Sequence, residues 1–206
     1  PHILSALEKT GSVKAVGNGK AYEMLSCFNG LLEWYRVTGN HRVLRLMEMA
    51  WADIVAKRLY PTGGASAGEH WQVDYHLPTG DSNSIGEVCV TTTWIQFNIQ
   101  MLRLTGDVKY AEQIERAAYN HLLGAQKPDG SAWSYYTPLD GHKAYSPSTT
   151  CCLSSGPRGV ALLPSVAAMV GTDGALAVLL YAQGAIDAKL PAGRVKFDVQ
   201  TEYPLS

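Results

Sequence analysis

The sequence predicts a mainly α chain built from antiparallel helical hairpins, and three observations carry that prediction. Two stretches echo each other: residues 30–37 read Gly-Leu-Leu-Glu-Trp-Tyr-Arg-Val into Thr38-Gly39-Asn40, and residues 100–104 read Gln-Met-Leu-Arg-Leu into Thr105-Gly106-Asp107. In each, a Gly that tolerates a left-handed backbone ends one helix, and Asn or Asp caps the next. Apolar residues then recur at helical spacing, and long loops of Gly, Ser, Thr and Pro separate the pairs. Repeated hairpins joined by such loops predict a toroid or bundle of helix pairs with functional groups on the loops at one end.

The elements follow in order. Cys27 lies in the apolar pattern of the first helix, where a buried small hydrophobe is expected. The helix after the first turn is predicted over about 43–60, with Val43, Leu46, Met47, Ala50, Trp51, Ile54 and Val55 on one stripe. Trp94 and Phe97 mark the next helix. The one after the second turn is predicted over about 108–123, with Tyr110, Ile114, Ala117, Ala118 and His121 similarly spaced. Residues 61–86 and 127–159 are too rich in Gly, Ser, Thr and Pro for core elements, and loops that long are usually functional. A short apolar helix is expected over about 160–169, and 175–182 is compatible with helix or strand. Val195-Lys196-Phe197-Asp198-Val199 alternates as a half-buried strand, but no partner strand is evident in the sequence. That orphan pattern before Ser206, together with a start at Pro1, leads us to expect a piece of a longer protein.

Composition limits the function. At 206 residues, 46% hydrophobic and 17% charged, the chain suits a globular domain with one sizeable core. A net charge of -1 without Lys or Arg runs argues against nucleic acid as a partner. No apolar stretch reaches the roughly 18–20 residues of a membrane span, and no secretory signal is visible. Four cysteines are too few and too unevenly spaced for a disulfide scaffold. Reduced cysteines favour the cytoplasm.

The remaining cysteines carry the chemistry. Cys151 and Cys152 are adjacent, and the setting of Pro147 and residues 148–150 predicts an irregular segment there. Upstream, Glu87-Val88-Cys89 offers a carboxylate and a third thiol, converging on one centre if the segment is extended or is an irregular helix entry. One carboxylate and three thiols suit tetrahedral zinc. Three buried free thiols, or a strained Cys151–Cys152 disulfide, are the alternatives. Zinc would hold the thiols deprotonated and make one a potential nucleophile; spacing does not choose between a structural and an active site. In the first loop, Gly63-Gly64-Ala65-Ser66-Ala67-Gly68-Glu69-His70-Trp71 sets one carboxylate among small residues beside an aromatic. Glu69 is therefore a candidate general acid, or else an exposed loop residue, and Trp71 is expected to stack on a sugar or desolvate a carboxyl. His70, His76 and His142 read as loop contacts or as surface residues. Gly-Lys-Ser/Thr is absent, so the glycines form no phosphate loop.

These motifs, with Leu77-Pro78, Glu115-Arg116, Tyr119-Asn120 and Tyr135-Tyr136-Thr137-Pro138-Leu139, stand in an order that resembles glycoside hydrolase family 127, the β-L-arabinofuranosidases, over about 38–168. The resemblance implies the carboxy-terminal part of an (α/α)6 barrel for 1–183 and the start of a β-sandwich for 184–206. It implies zinc held by Glu87, Cys89, Cys151 and Cys152, with Cys151 as nucleophile and Glu69 as acid/base in a retaining hydrolysis. Tyr135 is expected to bind the sugar or to pack beneath the loop. A carbohydrate, by this resemblance an arabinose-containing glycan, is the implied partner. Leu153, where Pro is common, and Thr137, where Asn is common, depart from the family pattern beside the sugar pocket. A noncatalytic helical domain with structural zinc, and a redox dithiol, are the rival readings.

Overall fold

The structure is a computed structural model that describes residues 2–78, 84–146, 148 and 150–204. Pro147 and Thr149, on which the expected irregular segment partly rests, lie outside the described residues. Helices α1 (His2–Thr10), α2 (Ala21–Thr38), α3 (His41–Lys57), α4 (Val88–Thr105) and α5 (Lys109–Arg116) come first. A π-helical turn, Ala117–Leu122, then carries α5 into the short α6 (Leu123–Ala125), and α7 spans Cys151–Leu162.

Both predicted hairpins form. Gly39 and Gly106 adopt positive φ of 66° and 71°, and their N–H groups close onto Tyr35 O and Leu102 O. Asn40, the N-cap of α3, accepts from Arg42 N at 3.1 Å through Oδ1, and Asp107, two residues before α5, accepts from Lys109 N at 3.0 Å through Oδ1, so a side-chain oxygen meets the first turn of each following helix.

Helix α4 is the centre of the core. Trp94, Ile95, Phe97 and Met101 are buried, and the helix packs against α2, α5 and α7. Trp51 of α3 stacks on Trp94 at 6.5 Å and meets Tyr110 edge-on at 5.0 Å, while its Nε1 donates to Asn98 Oδ1 at 2.7 Å. Each such aromatic contributes roughly 1.5–3 kcal/mol by burial. On α2 the buried stripe is Met24, Leu25, Phe28 and Leu32; Cys27 falls off that face and is exposed, against expectation.

Helix α7 forms where the sequence suggests a loop. Ser154, Gly156, Pro157 and Gly159 are poor helix formers, yet they suit the packing. A Cβ at Gly156 would lie 2.3 Å from the Trp133 ring, and one at Gly159 2.7 Å from Thr92 Oγ1. Thr92 Oγ1 also donates to Ser155 O at 2.9 Å. Contact with α4 therefore outweighs local propensity. The helix begins nine residues before the predicted one and ends at Leu162, followed by a 3-10 turn, Leu163–Val166.

Strands β1 (Ala168–Val170) and β2 (Leu176–Val178) form one antiparallel pair, settling the ambiguity of 175–182 as a short strand. β3 (Gly184–Leu190) and β4 (Gly193–Val199) form another, with Ile186 opposite Phe197. The alternating pattern at 195–199 does have a partner, one the sequence reading overlooked because Gly184–Leu190 contains Gly, Asp and Lys. Among the described residues no helix is long and apolar enough to cross a membrane.

Candidate active site and metal centre

Glu87 is the N-cap of α4 in extended conformation, and Cys89 is the helix's second residue. Cys151 and Cys152 are the first two residues of α7, not part of an irregular segment. The junction of an extended cap with one helix, packed against the first turn of another, gathers all four side chains. Their donor atoms lie within 4.8 Å of one another.

Consecutive helical residues diverge by about 100°, and here this separates the two cysteines. Cys152 is fully buried, with its Sγ 3.3 Å from Cys89 Sγ, while Cys151 is exposed. All three are free thiols, so no vicinal disulfide forms. Ser155 Oγ lies 3.2 Å from Cys89 Sγ. The thiol of Cys152 donating to Cys89 draws the latter's pKa down to about 6, while that same contact and burial push Cys152 strongly up. Burial, and then the charge of Cys89, raise Glu87 to about 8.

This donor set fits a soft divalent cation. A tetrahedron of thiolates about 2.3 Å from its centre has edges of roughly 3.8 Å, comparable with the spacing seen. Glu87 Oε2 is buried without a hydrogen-bond partner. Without a cation, the buried carboxyl and thiols can only hold their protons or repel one another; a cation would satisfy them together.

Glu69 approaches from another direction. Ala67 and His70 exchange both backbone hydrogen bonds at 3.2 Å around Gly68-Glu69, whose φ angles are 54° and 68°. Two positive φ values across a two-residue turn are the mark of type I′. Glycine accommodates this readily; a glutamate there carries strain of about 1–3 kcal/mol. The side chain is held firmly. Tyr135 and Tyr136 hydroxyls donate to Glu69 Oε1 at 2.8 and 3.2 Å, and Lys20 Nζ stands 3.0 Å from Oε2. Lys20 first, then Tyr135, hold the Glu69 carboxyl below its ordinary range. Tyr135 also links the two parts of the site, because Cys151 Sγ donates to its hydroxyl oxygen at 3.6 Å.

Tyr135 therefore bridges Glu69 and Cys151 through its hydroxyl. Trp71 is overturned as a sugar platform: it is buried, its backbone N–H donates to Gly19 O, and the neighbouring carboxyl is lowered, not raised. His142 borders a cavity of about 80 Å³ beside the two tyrosines; His76 is exposed, and His70 Nδ1 lies 2.5 Å from Gly68 O. Two contributors escaped the sequence reading. Lys20 precedes α2 in a run, Gly17-Asn18-Gly19, that signals only a turn. His121 belongs by spacing to the apolar stripe, but its ring wedges the site: a Cβ at Gly64 would lie 2.2 Å from its Nδ1 and one at Gly86 2.7 Å from its Cε1. His121 sits on the π turn, a feature common near functional sites. Burial lowers it to about 4, so it is neutral.

The catalytic-domain model of the GH127 β-L-arabinofuranosidases matches residues 9–165. A curated relative, the non-reducing end β-L-arabinofuranosidase of Bifidobacterium longum subsp. longum, is 27% identical over 126 residues, covering 60% of this chain and 19% of its own length. Among solved structures, a GH127 β-L-arabinofuranosidase from Geobacillus stearothermophilus T6 superposes with a TM-score of 0.80 at 24% identity, over 90% of this chain and 32% of its own. A second GH127 β-arabinofuranosidase gives 0.82 at 28% identity, over 90% and 30%. The chain thus spans under a third of these relatives' lengths. The fold agrees with the expected class, part of a helical barrel leading into strands.

Proposed function

This chain belongs to the GH127 β-L-arabinofuranosidase family, and we propose that it forms part of a retaining glycoside hydrolase acting on β-L-arabinofuranose or a related sugar in glycans. The observation that carries this reading is the chain of contacts from a gathered Glu87–Cys89–Cys151–Cys152 set, through exposed Cys151 and the Tyr135 hydroxyl, to Glu69. A nucleophile needs access, and only Cys151 of the four donors has it. An acid/base needs a position beside the nucleophile without being bonded to it, and Glu69 has that.

Glu87, Cys89, Cys151 and Cys152 would hold zinc. When bound, zinc would keep the thiols ionised at neutral pH. The Cys151 sulfur attacks the anomeric carbon as the bond to the leaving oxygen breaks, and Glu69 gives that oxygen its proton. In the second half Glu69 takes a proton from water, the water oxygen bonds to the anomeric carbon, and the carbon–sulfur bond breaks. Tyr135, between the two groups, orients Glu69 and contacts the sugar. Residues 1–183 would belong to the barrel and 184–206 would begin a β-sandwich. Because Lys20 holds Glu69 ionised, its protonated form dwindles about tenfold per pH unit above its pKa, so kcat/KM should be highest on the acid side of neutrality.

The rival is a noncatalytic domain, favoured by the count of four protein donors that a closed structural site would use. Release of the phenol from an aryl β-L-arabinofuranoside by the intact polypeptide carrying this chain separates the two. Cys151→Ser and Glu69→Gln should each abolish it while leaving the circular dichroism spectrum unchanged; unaltered turnover in either variant sinks the mechanism. Metal analysis should return one zinc per chain.

A further inference from the structure

Glu69 is gripped from two sides that belong to different elements. Oε1 receives the hydroxyls of Tyr135 and Tyr136 from the loop after α6, and Oε2 faces the ammonium of Lys20 at the start of α2. The second grip is built by backbone as well as by charge. Ala21 N donates to Glu69 O at 2.9 Å and Trp71 N donates to Gly19 O at 2.9 Å, so the residues on either side of Lys20 are paired to the turn that carries Glu69. Lys20 thus cannot drift along the cleft independently of Glu69. Its side chain is half-exposed, and its ammonium has one other carboxylate partner, Glu23 Oε1 at 3.2 Å, one turn into α2.

We propose that Lys20 is the positioning residue of Glu69, turning Oε2 toward α2 so that Oε1 stays with the tyrosine pair on the Cys151 side of the cleft. This rests on the assignment of Glu69 as acid/base. Lys20 at the N-cap of α2 and Glu23 within it, His70 next on the turn, Tyr135 and Tyr136 from the loop, and Glu87 and Cys151 beyond the tyrosines are charged and titratable groups that the described residues place around that carboxyl. Among the described residues, Lys20 is the cation that forms an ion pair with it. Its removal frees Oε2 and lets the carboxyl keep its proton to higher pH; an arginine in its place preserves the charge and a donor directed at the same oxygen.

The test uses Lys20→Met and Lys20→Arg in the intact polypeptide. The alkaline limb of the kcat/KM profile for an aryl arabinofuranoside should move up by about one pH unit in Lys20→Met, and stay near the parent position in Lys20→Arg. A loss of rate uniform in pH, with the limb unmoved, marks a merely structural residue and overturns the proposal. A second arm needs no turnover. With carboxyl-labelled glutamate, and the Glu69 resonance identified by its loss in Glu69→Gln, the substrate-free titration midpoint should rise in Lys20→Met. An unmoved midpoint overturns the proposal even if the chain hydrolyses nothing, whereas a raised midpoint in an inactive protein upholds Lys20 and counts against the hydrolase reading alone.

Discussion

Cys152 and Glu69 flank Cys151 and are held in opposite ways. Cys152 is fixed by shape: α7 meets the Trp133 ring at Gly156 and Thr92 of α4 at Gly159, and these neighbours fill the places where side chains would otherwise be. Glu69 is fixed by charge and hydrogen bonds, on a strained two-residue turn whose neighbours are tied by polar contacts. Behind that turn, buried Arg58 pairs with Asp53 and donates from Nη1 to Gln72 O, while Gln72 Nε2 donates to Ala67 O. The floor of the site should therefore answer to changes of volume, and its rim to changes of charge.

That contrast can be broken or sharpened in several ways. The largest effect should come from pH acting on the floor. Glu87, Cys151 and Cys152 all have raised pKa values, so they are protonated near neutrality and must release protons to bind a cation. Apparent zinc affinity, read by chelator competition, should fall about a hundredfold or more for each pH unit lost between pH 8 and 6; a flat profile would mean the four groups do not act as one donor set. Next, Trp94→Ala should destabilise by about 3–5 kcal/mol in denaturant unfolding, with zinc affinity falling alongside because α4 carries Cys89. Arg58→Met should cost about 3 kcal/mol by leaving Asp53 buried with less compensation. It should depress turnover while sparing zinc affinity; equal loss of both would erase the distinction between floor and rim. Tyr136→Phe removes the longer of two bonds to Oε1 and should lower kcat/KM only several-fold, about 1 kcal/mol. Smallest of all, Arg194→Ala cuts an exposed pair with Asp187 on the β3–β4 hairpin and should leave the denaturant unfolding midpoint essentially where it is.

The same contrast explains what could be read from the sequence. The α2–α3 and α4–α5 hairpins were legible because Thr-Gly-Asn and Thr-Gly-Asp write their turn in local chemistry. The four donors were legible as residue types, though only the fold brings 87–89 against 151–152. Helix α7 was not legible: its glycines are spaces for Trp133 and Leu122, and a space shaped by a distant partner looks locally like flexibility. Cys27 failed for a simpler reason. The apolar stripe of α2 runs through residues 24, 25, 28 and 32, and a cysteine between them is off phase. Lys20 left no local trace, because its meaning lies in an antiparallel contact with residues some 50 positions away.

The adjacency of Cys151 and Cys152 has a mechanical consequence. One peptide unit, about 3.8 Å between Cα atoms, joins the buried sulfur to the exposed one, so there is no flexible segment in which a displacement could be absorbed. A single residue inserted between them would swing one cysteine by about 100° around the helix and remove it from the cluster. A similar insertion in the exposed stretch around His76 and Leu77 would meet no such constraint. Length, at this one junction, is as restrictive as residue type.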